Sequence, residues 1–354
     1  MPPSSPNAAP AVRTRIRPVW HWGQWVTPRT AFIITVILFI AAIAASLALG
    51  AKSIPLATVW DAIWNADPLN EDHGIVRTLR WDRTLIGLAA GAALAVSGAL
   101  AQSLTRNPLA DPGLLGLNAG AALAIVIGSV FGGVATVLPQ VGLALVGATA
   151  AGLIVYGVGS GGGASAPIRL ALAGAAVTAL LTALTTAIVV YDQTALNVLR
   201  YWLAGSLTGR AGIPILPMLV VIAVLLALVT VFVRPLQAVA LGDDAAAALG
   251  IHVARTRAGV MALVVCLAAV STALAGPIAF VGLAVPHLVR AVTGPRVGWL
   301  IAMSIPAGGV VMLVADVAGR LVARPGEVSV GIATALGGGV LLAALARRLR
   351  VVAL

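Results

Sequence analysis

The sequence has few charged residues, and almost none of them lies inside its long apolar stretches. Only 9% of the 354 residues are charged, while 60% are hydrophobic, a balance that excludes an ordinary soluble domain. Ten apolar runs remain between the charged positions, and most approach the ~20 residues that a helix needs to cross ~30 Å of hydrocarbon. We therefore predict an all-α polytopic membrane protein with about ten transmembrane helices. The runs are Ala31–Gly50, Thr84–Thr105, Leu114–Gly132, Val134–Val158, Leu170–Val190, Ile213–Val233, Ala258–Gly276, Ile278–Val289, Gly298–Ala315 and Val328–Ala346.

Within these runs the only ionisable group that we identify is His287, near the end of the shortest one. Ion-coupled secondary transporters use intramembrane Asp, Glu, Lys or Arg, so that class is less favoured. One cysteine, Cys266, and four scattered histidines give neither a disulfide framework nor a metal cluster. A membrane-embedded enzyme would need a catalytic constellation, which the sequence does not offer. We predict no catalytic residue and no metal site.

Lysine is almost absent as well. The only one, Lys52, lies outside any GxxxxGK[ST] frame, the loop that cradles nucleotide phosphates. The chain therefore cannot hydrolyse ATP. Because it also lacks carboxylates that could carry protons across the membrane, its energy must come from an ATP-driven partner.

The charges that are present divide unequally between the two faces. With ten spans and an internal N-terminus, the inner loops carry 14 basic and 3 acidic residues, 14 − 3 = +11, which equals the net charge of the chain. The outer loops carry eight of each sign. Basic residues concentrate on the cytoplasmic side of membrane proteins, so we expect both termini in the cytoplasm. The high isoelectric point thus reflects topology, and no nucleic-acid partner is expected.

This topology divides the chain into a basic cytoplasmic tail, residues 1–30, and a ten-span domain, residues 31–354. External loops are expected at 51–83, 191–212 and 316–327, the first with Trp60, Trp64 and a short surface helix. In the internal loop 234–257, Asp243 and Asp244 open a predicted helix at Ala245–Leu249, which Gly250 closes. From the residues alone, this helix is either a docking element for a partner or a solvated connection.

Four segments of the sequence resemble one family. They are similar to the FecCD-type permeases of bacterial ABC importers, which bring iron–siderophores, cobalamin or haem across the inner membrane. The similarity to the enterobactin-type siderophore branch rests on ALAQSLTRNPLADPGLLGLNAG and RYWLAGSL. The four segments are NPLADPGLLGLNAG (Asn107–Gly120), ALGDDAAAALGIHVARTR (Ala240–Arg257), GPIAFVGLAVPHLVR (Gly276–Arg290) and DVAGRLVARPGEVSVGIATALGG (Asp316–Gly338).

The resemblance implies the type II ABC importer permease fold and a set of partners. These are a second, related but non-identical permease, two ATPase subunits, a periplasmic or lipid-anchored substrate-binding protein and membrane lipid. The ATPase subunits use ATP and Mg²⁺, and this chain binds no cofactor. The implied cargo is a ferric siderophore, with cobalamin as the alternative and haem as a third possibility. The implied location is the bacterial cytoplasmic membrane.

The resemblance also implies roles for individual residues. The internal loop couples the permease to the ATPase through Leu241, Gly242, Asp243, Asp244, Ala245, Leu249, Gly250 and Ile251. Binding-protein docking maps onto Arg80, Arg83 and Arg320, because guanidinium groups grip carboxylates bidentately. The alternative is that these are ordinary arginines at span ends. Trp81 and Asp82 stand where the family has Leu-Pro, a departure that puts the local turn in question.

Polar residues inside the runs are candidates for the translocation path. Thr178, Thr182, Thr185 and Thr186 have the spacing of one helical face, and the resemblance puts this span beside the pore. The competing interpretation is that their hydroxyls bond carbonyls one turn back. Gln102 and Asn118 either line the inner end of the path or bond neighbouring backbone.

Overall fold

The computed structural model describes residues 27–134, 136–159, 166–209 and 213–350, with the side chains of 166–167 and 345–350 left out. Most of the predicted basic tail, residues 1–26, and Arg210 lie outside these ranges. Within them every regular element is helical. The helices are α1 Pro28–Ala48, α2 Leu56–Trp64, α3 Glu71–Gly74, α4 Trp81–Thr105, α5 Leu117–Gly132, α6 Val137–Gly159, α7 Ala166–Val189, α8 Gln193–Leu203, α9 Ile215–Leu241, α10 Asp243–Ala248, α11 Val253–Ala275, α12 Val281–Thr293, α13 Val297–Val322 and α14 Val330–Arg350.

The ten apolar runs each correspond to one of these helices. Seven helices of the described chain are long and apolar enough to cross a membrane. Three shorter ones, α5, α12 and α14, are apolar too. The prediction of an all-α polytopic membrane protein is confirmed, and the predicted surface helix of loop 51–83 is α2.

One helix is longer than its apolar run. A π-helical turn at Ile75–Arg80 joins α3 to α4, which makes one continuous helix of 35 residues, Glu71–Thr105. It ends at Arg106, whose left-handed conformation (φ 52°) directs its N–H back to the carbonyl of Gln102. π turns are rare overall but occur often at functional sites, and this one ends at Arg80, three residues before Arg83.

The core is built around α4 and α11. In their most apolar segments 89% and 78% of residues are buried within the chain, against 11% in α9 and 22% in α7. α4 packs on α13, α11 and α12, while α11 also packs on α6 and α9. These two helices, which are buried on nearly all sides, therefore form the centre of the molecule, and the other helices pack around them.

Glycine allows the backbones of crossing helices to touch. A Cβ atom at Gly98 on α4 would lie 1.7 Å from the carbonyl oxygen of Gly282 on α12. The same close approach joins Gly91 to Gly308 and Gly120 on α5 to its partner on α6. Small residues are the usual means of tight helix packing in membranes. They explain much of a glycine content that reaches 39 residues.

Candidate transport and docking sites

The segment between α9 and α11 forms a short exposed helix at one end of the molecule. Gly242 starts it with φ 131° and ψ 152°, and Gly250 follows it with φ 76°. The helix covers Asp243–Ala248, so it begins two residues earlier than predicted, because both aspartates lie in its first turn. There they interact favourably with the free N–H groups of the helix start.

Two arginines hold this short helix in place. Asp243 accepts hydrogen bonds from Arg106 at 2.8 Å and from Arg257 at 2.8 Å, which ties it to the end of α4 and the start of α11. Ala246 is completely buried, whereas Leu241 and Leu249 expose 73% and 65% of their surface. A helix that is tethered on one side and apolar on its exposed side suits a protein partner better than a solvated connection.

The opposite end of the molecule contains a buried network of charges. Asp316 on α13 has no exposed surface. It accepts three hydrogen bonds from Arg83, at 3.0, 2.9 and 2.7 Å, and forms an ion pair of 2.8 Å with Arg320, one helical turn away. Glu327 accepts a further bond of 2.7 Å from Nη1 of Arg83. Two guanidinium groups thus share two carboxylates between α4, α13 and the segment before α14.

Arg320 and a third arginine, Arg80, also close the end of α1. Nη1 of Arg320 donates to the carbonyls of Ser46 and Leu49 at 3.0 and 2.9 Å. Arg80 donates to the carbonyl of Leu47 at 2.7 Å and also bonds the carbonyl of Lys52. These bonds satisfy carbonyls that lack partners at a helix C-terminus.

This network corrects one sequence prediction. The ninth run was expected to end at Ala315, with residues 316–327 in an external loop, but α13 continues to Val322. Asp316 and Arg320 were assigned to a loop because they are charged. They remain helical because Arg83 neutralises the carboxylate inside the protein. Asp316 is thus buried inside the protein, one residue beyond the ninth apolar run.

The three predicted docking arginines are thus brought together, but inside the chain. Arg80, Arg83 and Arg320 expose 6%, 9% and 5% of their surface, and all have partners within the protein. Their role in docking stays a prediction. Glu327 is the member of the network that reaches solvent, with 41% of its side chain exposed. Sequence reasoning missed it and Asp316, although the four-residue spacing of Asp316 and Arg320 was a visible signal.

The four predicted threonines of α7 differ in their exposure and in their hydrogen bonds. Thr185 is buried and donates to the carbonyl of Leu181 at 2.8 Å, and Thr186 donates to that of Thr182 at 2.9 Å. Thr182 and Thr186 are exposed, while Thr178 is half-buried. Two of the four hydroxyls therefore bond carbonyls one turn back, and only part of the set lies on the surface of the chain.

Gln102 and Asn118 are bonded within the protein. Nε2 of Gln102 donates to the carbonyl of Leu283 at 3.2 Å. Thr272 donates to the side-chain oxygen of Asn118 at 3.2 Å. Asn118, Thr272 and Asp111 line a cavity of about 310 Å³ between α4, α5, α11 and α12. Burial raises the pKa of the Asp111 carboxyl, and the N–H of Gly113 acts in the opposite direction.

The described residues thus form a polytopic helical membrane protein, with an exposed tethered helix at one end and a buried charge network at the other. Residues 37–348 match the sequence profile of the FecCD transport family. The chain belongs to this family, and it is a permease subunit of an ABC importer.

Individual relatives agree with this assignment. The ferric enterobactin permease protein FepD of Escherichia coli is 42% identical over 314 residues, 88% of this chain and 93% of FepD. FepG of the same organism, named for the same transport system, is 33% identical over 298 residues, 84% and 89% of the two chains. The iron(3+)-hydroxamate permease protein FhuB of Bacillus subtilis is 37% identical over 306 residues, 86% and 79%.

A solved structure shares the fold. A metal-chelate type ABC transporter in an inward-facing conformation superposes with a TM-score of 0.79 at 24% identity. The superposition covers 90% of this chain and 99% of the other. The fold prediction is therefore confirmed. The family and its relatives confirm the prediction that the chain is a transport subunit and not an enzyme.

Proposed function

We propose that this chain forms one half of the pore of an ATP-driven importer that moves a ferric siderophore across the bacterial cytoplasmic membrane. The names of its relatives support a ferric cargo, since FepD is 42% and FhuB 37% identical. The second half is a related, non-identical permease, as the two permease proteins FepD and FepG of one enterobactin system suggest.

The single observation that carries the mechanism is the tethered helix α10. The exposed Leu241 and Leu249 that flank it supply an apolar contact for an ATPase subunit, and Asp243 links that contact to α4 and α11. Movement of the ATPase therefore reaches the two central helices directly. The ATPase subunits use ATP and Mg²⁺, and the permease itself holds no cofactor.

Docking of the substrate-binding protein is proposed for the opposite end, around Arg80, Arg83 and Arg320. An acidic group of that protein reaches Arg83 by replacing Glu327, the exposed member of the network. In this arrangement both termini and α10 are cytoplasmic, and the charge network faces the periplasm. Gln102, Asn118 and the exposed threonines of α7 are proposed to border the path of the cargo.

Uptake of radiolabelled cargo by cells that lack this chain tests the proposal. Loss of ferric-siderophore uptake with normal cobalamin uptake supports it. The reverse pattern would contradict a siderophore cargo and identify cobalamin as the cargo instead. Copurification with ATPase subunits is the second measurement. A chain that transports without any ATPase would contradict the assignment of an ATP-driven pore.

A further inference from the structure

Helix α2 carries an exposed apolar stripe that no other part of the described chain covers. Leu56, Trp60 and Trp64 recur every fourth residue, and 59%, 63% and 66% of their surfaces are exposed. The two indole rings lie together, with centroids 5.7 Å apart. On the opposite face Val59 and Ala62 are buried, at 5% and 0%. The helix therefore packs one apolar face within the chain and turns its aromatic face outward, with the exposed Asp61 between its two tryptophans in the sequence.

The position of α2 is fixed by the end of α1. Val59 and Ala62 pack in one apolar cluster with Leu47 and Ala48, the last residues of α1. The N–H of Ile54 donates to the carbonyl of Ala48 at 2.9 Å, two residues before α2 begins. The short helix thus lies directly against the last turn of α1.

The length of α1 sets the depth of that turn in the membrane. Its 21 residues span about 31 Å at 1.5 Å per residue, close to the ~30 Å of the hydrocarbon layer. Its exposed side chains include Ile33, Ile37 and Ile40, as expected for a face in contact with lipid. Because α1 is just long enough to cross the hydrocarbon, its last turn and α2 lie at the level of the lipid headgroups.

We propose that the face of α2 formed by Leu56, Trp60 and Trp64 inserts into the headgroup and carbonyl layer of the phospholipid leaflet at that end of α1. Tryptophan suits this layer because its ring is apolar and its N–H finds polar partners. Short amphipathic helices with such residues lie in the plane of the interface. The anchored helix fixes the depth of the neighbouring π turn and of Arg80. The proposal needs only that α1 spans the membrane, whatever the cargo.

Tryptophan quenching in nanodiscs tests the contact. The complete transporter is placed in lipids brominated close to the carbonyl end of the acyl chains, and fluorescence is compared with unbrominated lipid. The double variant Trp60→Phe/Trp64→Phe lacks two of the eight tryptophans and is expected to lose the corresponding share of the quenching. Trp202→Phe removes a tryptophan of which only 5% is exposed, and is expected to lower emission without lowering that share.

The alternative occupant is the soluble binding protein, and a second measurement separates the two. Acrylamide, an aqueous quencher, is added to the wild-type transporter with and without binding protein. Weak acrylamide quenching that binding protein does not change supports the lipid contact and requires no variant. Strong quenching that binding protein abolishes, or equal bromolipid quenching in the double variant and the wild type, overturns the proposal.

Discussion

Among single residues, Asp316 is the one whose burial depends most on its charged partners. It is fully buried and is shared by Arg83 and Arg320. A buried carboxylate is tolerated only when hydrogen bonds and opposite charges offset its desolvation. Removing it leaves Arg83 with Glu327 as its remaining acidic partner, and leaves Arg320 with the carbonyls and hydroxyl at the end of α1. Such a substitution therefore lowers the free energy of unfolding by more than the net stabilisation that the ion pairs themselves provide.

We predict that Asp316→Ala lowers the free energy of unfolding by about 3–5 kcal/mol, the usual effect of breaking a buried ion pair. Thermal unfolding of the purified transporter in detergent measures it. Asp61→Ala, at an exposed carboxylate of α2, is the control and is expected to change stability by less than about 0.5 kcal/mol. Equal effects of the two substitutions would contradict the structural importance of the network.

A conservative substitution of Glu327 tests docking while the protein and the rest of the charge network stay intact. Glu327→Gln preserves the size of the side chain and a hydrogen-bonding oxygen for Thr208, which donates to Oε1 at 3.2 Å. It removes the negative charge that competes for Arg83. We therefore expect the binding protein to bind the variant transporter roughly threefold to tenfold more tightly, about 1 kcal/mol.

The control for this prediction is Glu71→Gln. It removes the same charge from an exposed residue of α3, and is expected to leave the dissociation constant unchanged. Affinity is measured on transporters in nanodiscs at fixed salt. If Glu327→Gln has no effect or weakens binding, an incoming acidic group does not replace Glu327 at Arg83.

Among the elements, α10 depends on the backbone of its flanking glycines. Gly250 has φ 76°, and a Cβ atom there would meet no atom of the described chain within 4 Å. A Cβ atom at this position is therefore strained by the backbone conformation and not by crowding from the described residues. We expect the further effect of a large residue to come from a partner that packs against it.

We predict that Gly250→Leu abolishes ATP-driven uptake while the protein remains in the membrane. Deletion of Ala245–Leu249 is expected to do the same. The matched control is Gly209→Leu, because Gly209 also has a positive φ of 69° and open space around it. Both substitutions carry a similar strain of about 1–2 kcal/mol, so uptake should be retained in the control. Normal uptake by the Gly250 variant would remove α10 from energy coupling.

The contact between α4 and α12 also depends on glycine, because the two backbones touch at Gly98. We predict that Gly98→Ala prevents stable folding, because the new Cβ would lie 1.7 Å from the oxygen of Gly282 and backbone atoms cannot yield at low cost. Gly142→Ala on α6, where no atom lies within 4 Å, is expected to be neutral or slightly stabilising. Yield and thermal unfolding in detergent measure both, and a stable Gly98→Ala protein would contradict the close contact.

For the whole molecule, composition was enough to predict the helices but not their ends or their charged contacts. Apolar runs locate the ten spans, because membrane length and helix rise fix what each run must be. The network around Asp316 escaped prediction because Arg83 lies 233 residues away in the chain. Likewise, the periodicity of the α7 threonines predicts one face but does not reveal which hydroxyls bond their own backbone.

The predicted topology of the whole chain can be tested with single cysteines. In a background where Cys266 is replaced by Ser, Leu69→Cys and Arg296→Cys each introduce a thiol at an exposed position outside the proposed contacts with partners. A membrane-impermeant maleimide is expected to label the first in intact spheroplasts. It is expected to label the second only after permeabilisation. The reverse pattern would invert the orientation of the molecule.

The continuous helix Glu71–Thr105 has a mechanical consequence. Its 35 residues form a rod about 52 Å long, with Arg80 and Arg83 towards one end and Arg106, the partner of Asp243, just beyond the other. A tilt of about 5° around its midpoint displaces both tips by about 2 Å in opposite directions. Shifts of this size are typical of allosteric helix movements. A displacement at the end proposed to meet the binding protein is therefore accompanied by an opposite displacement at the end proposed to contact the ATPase.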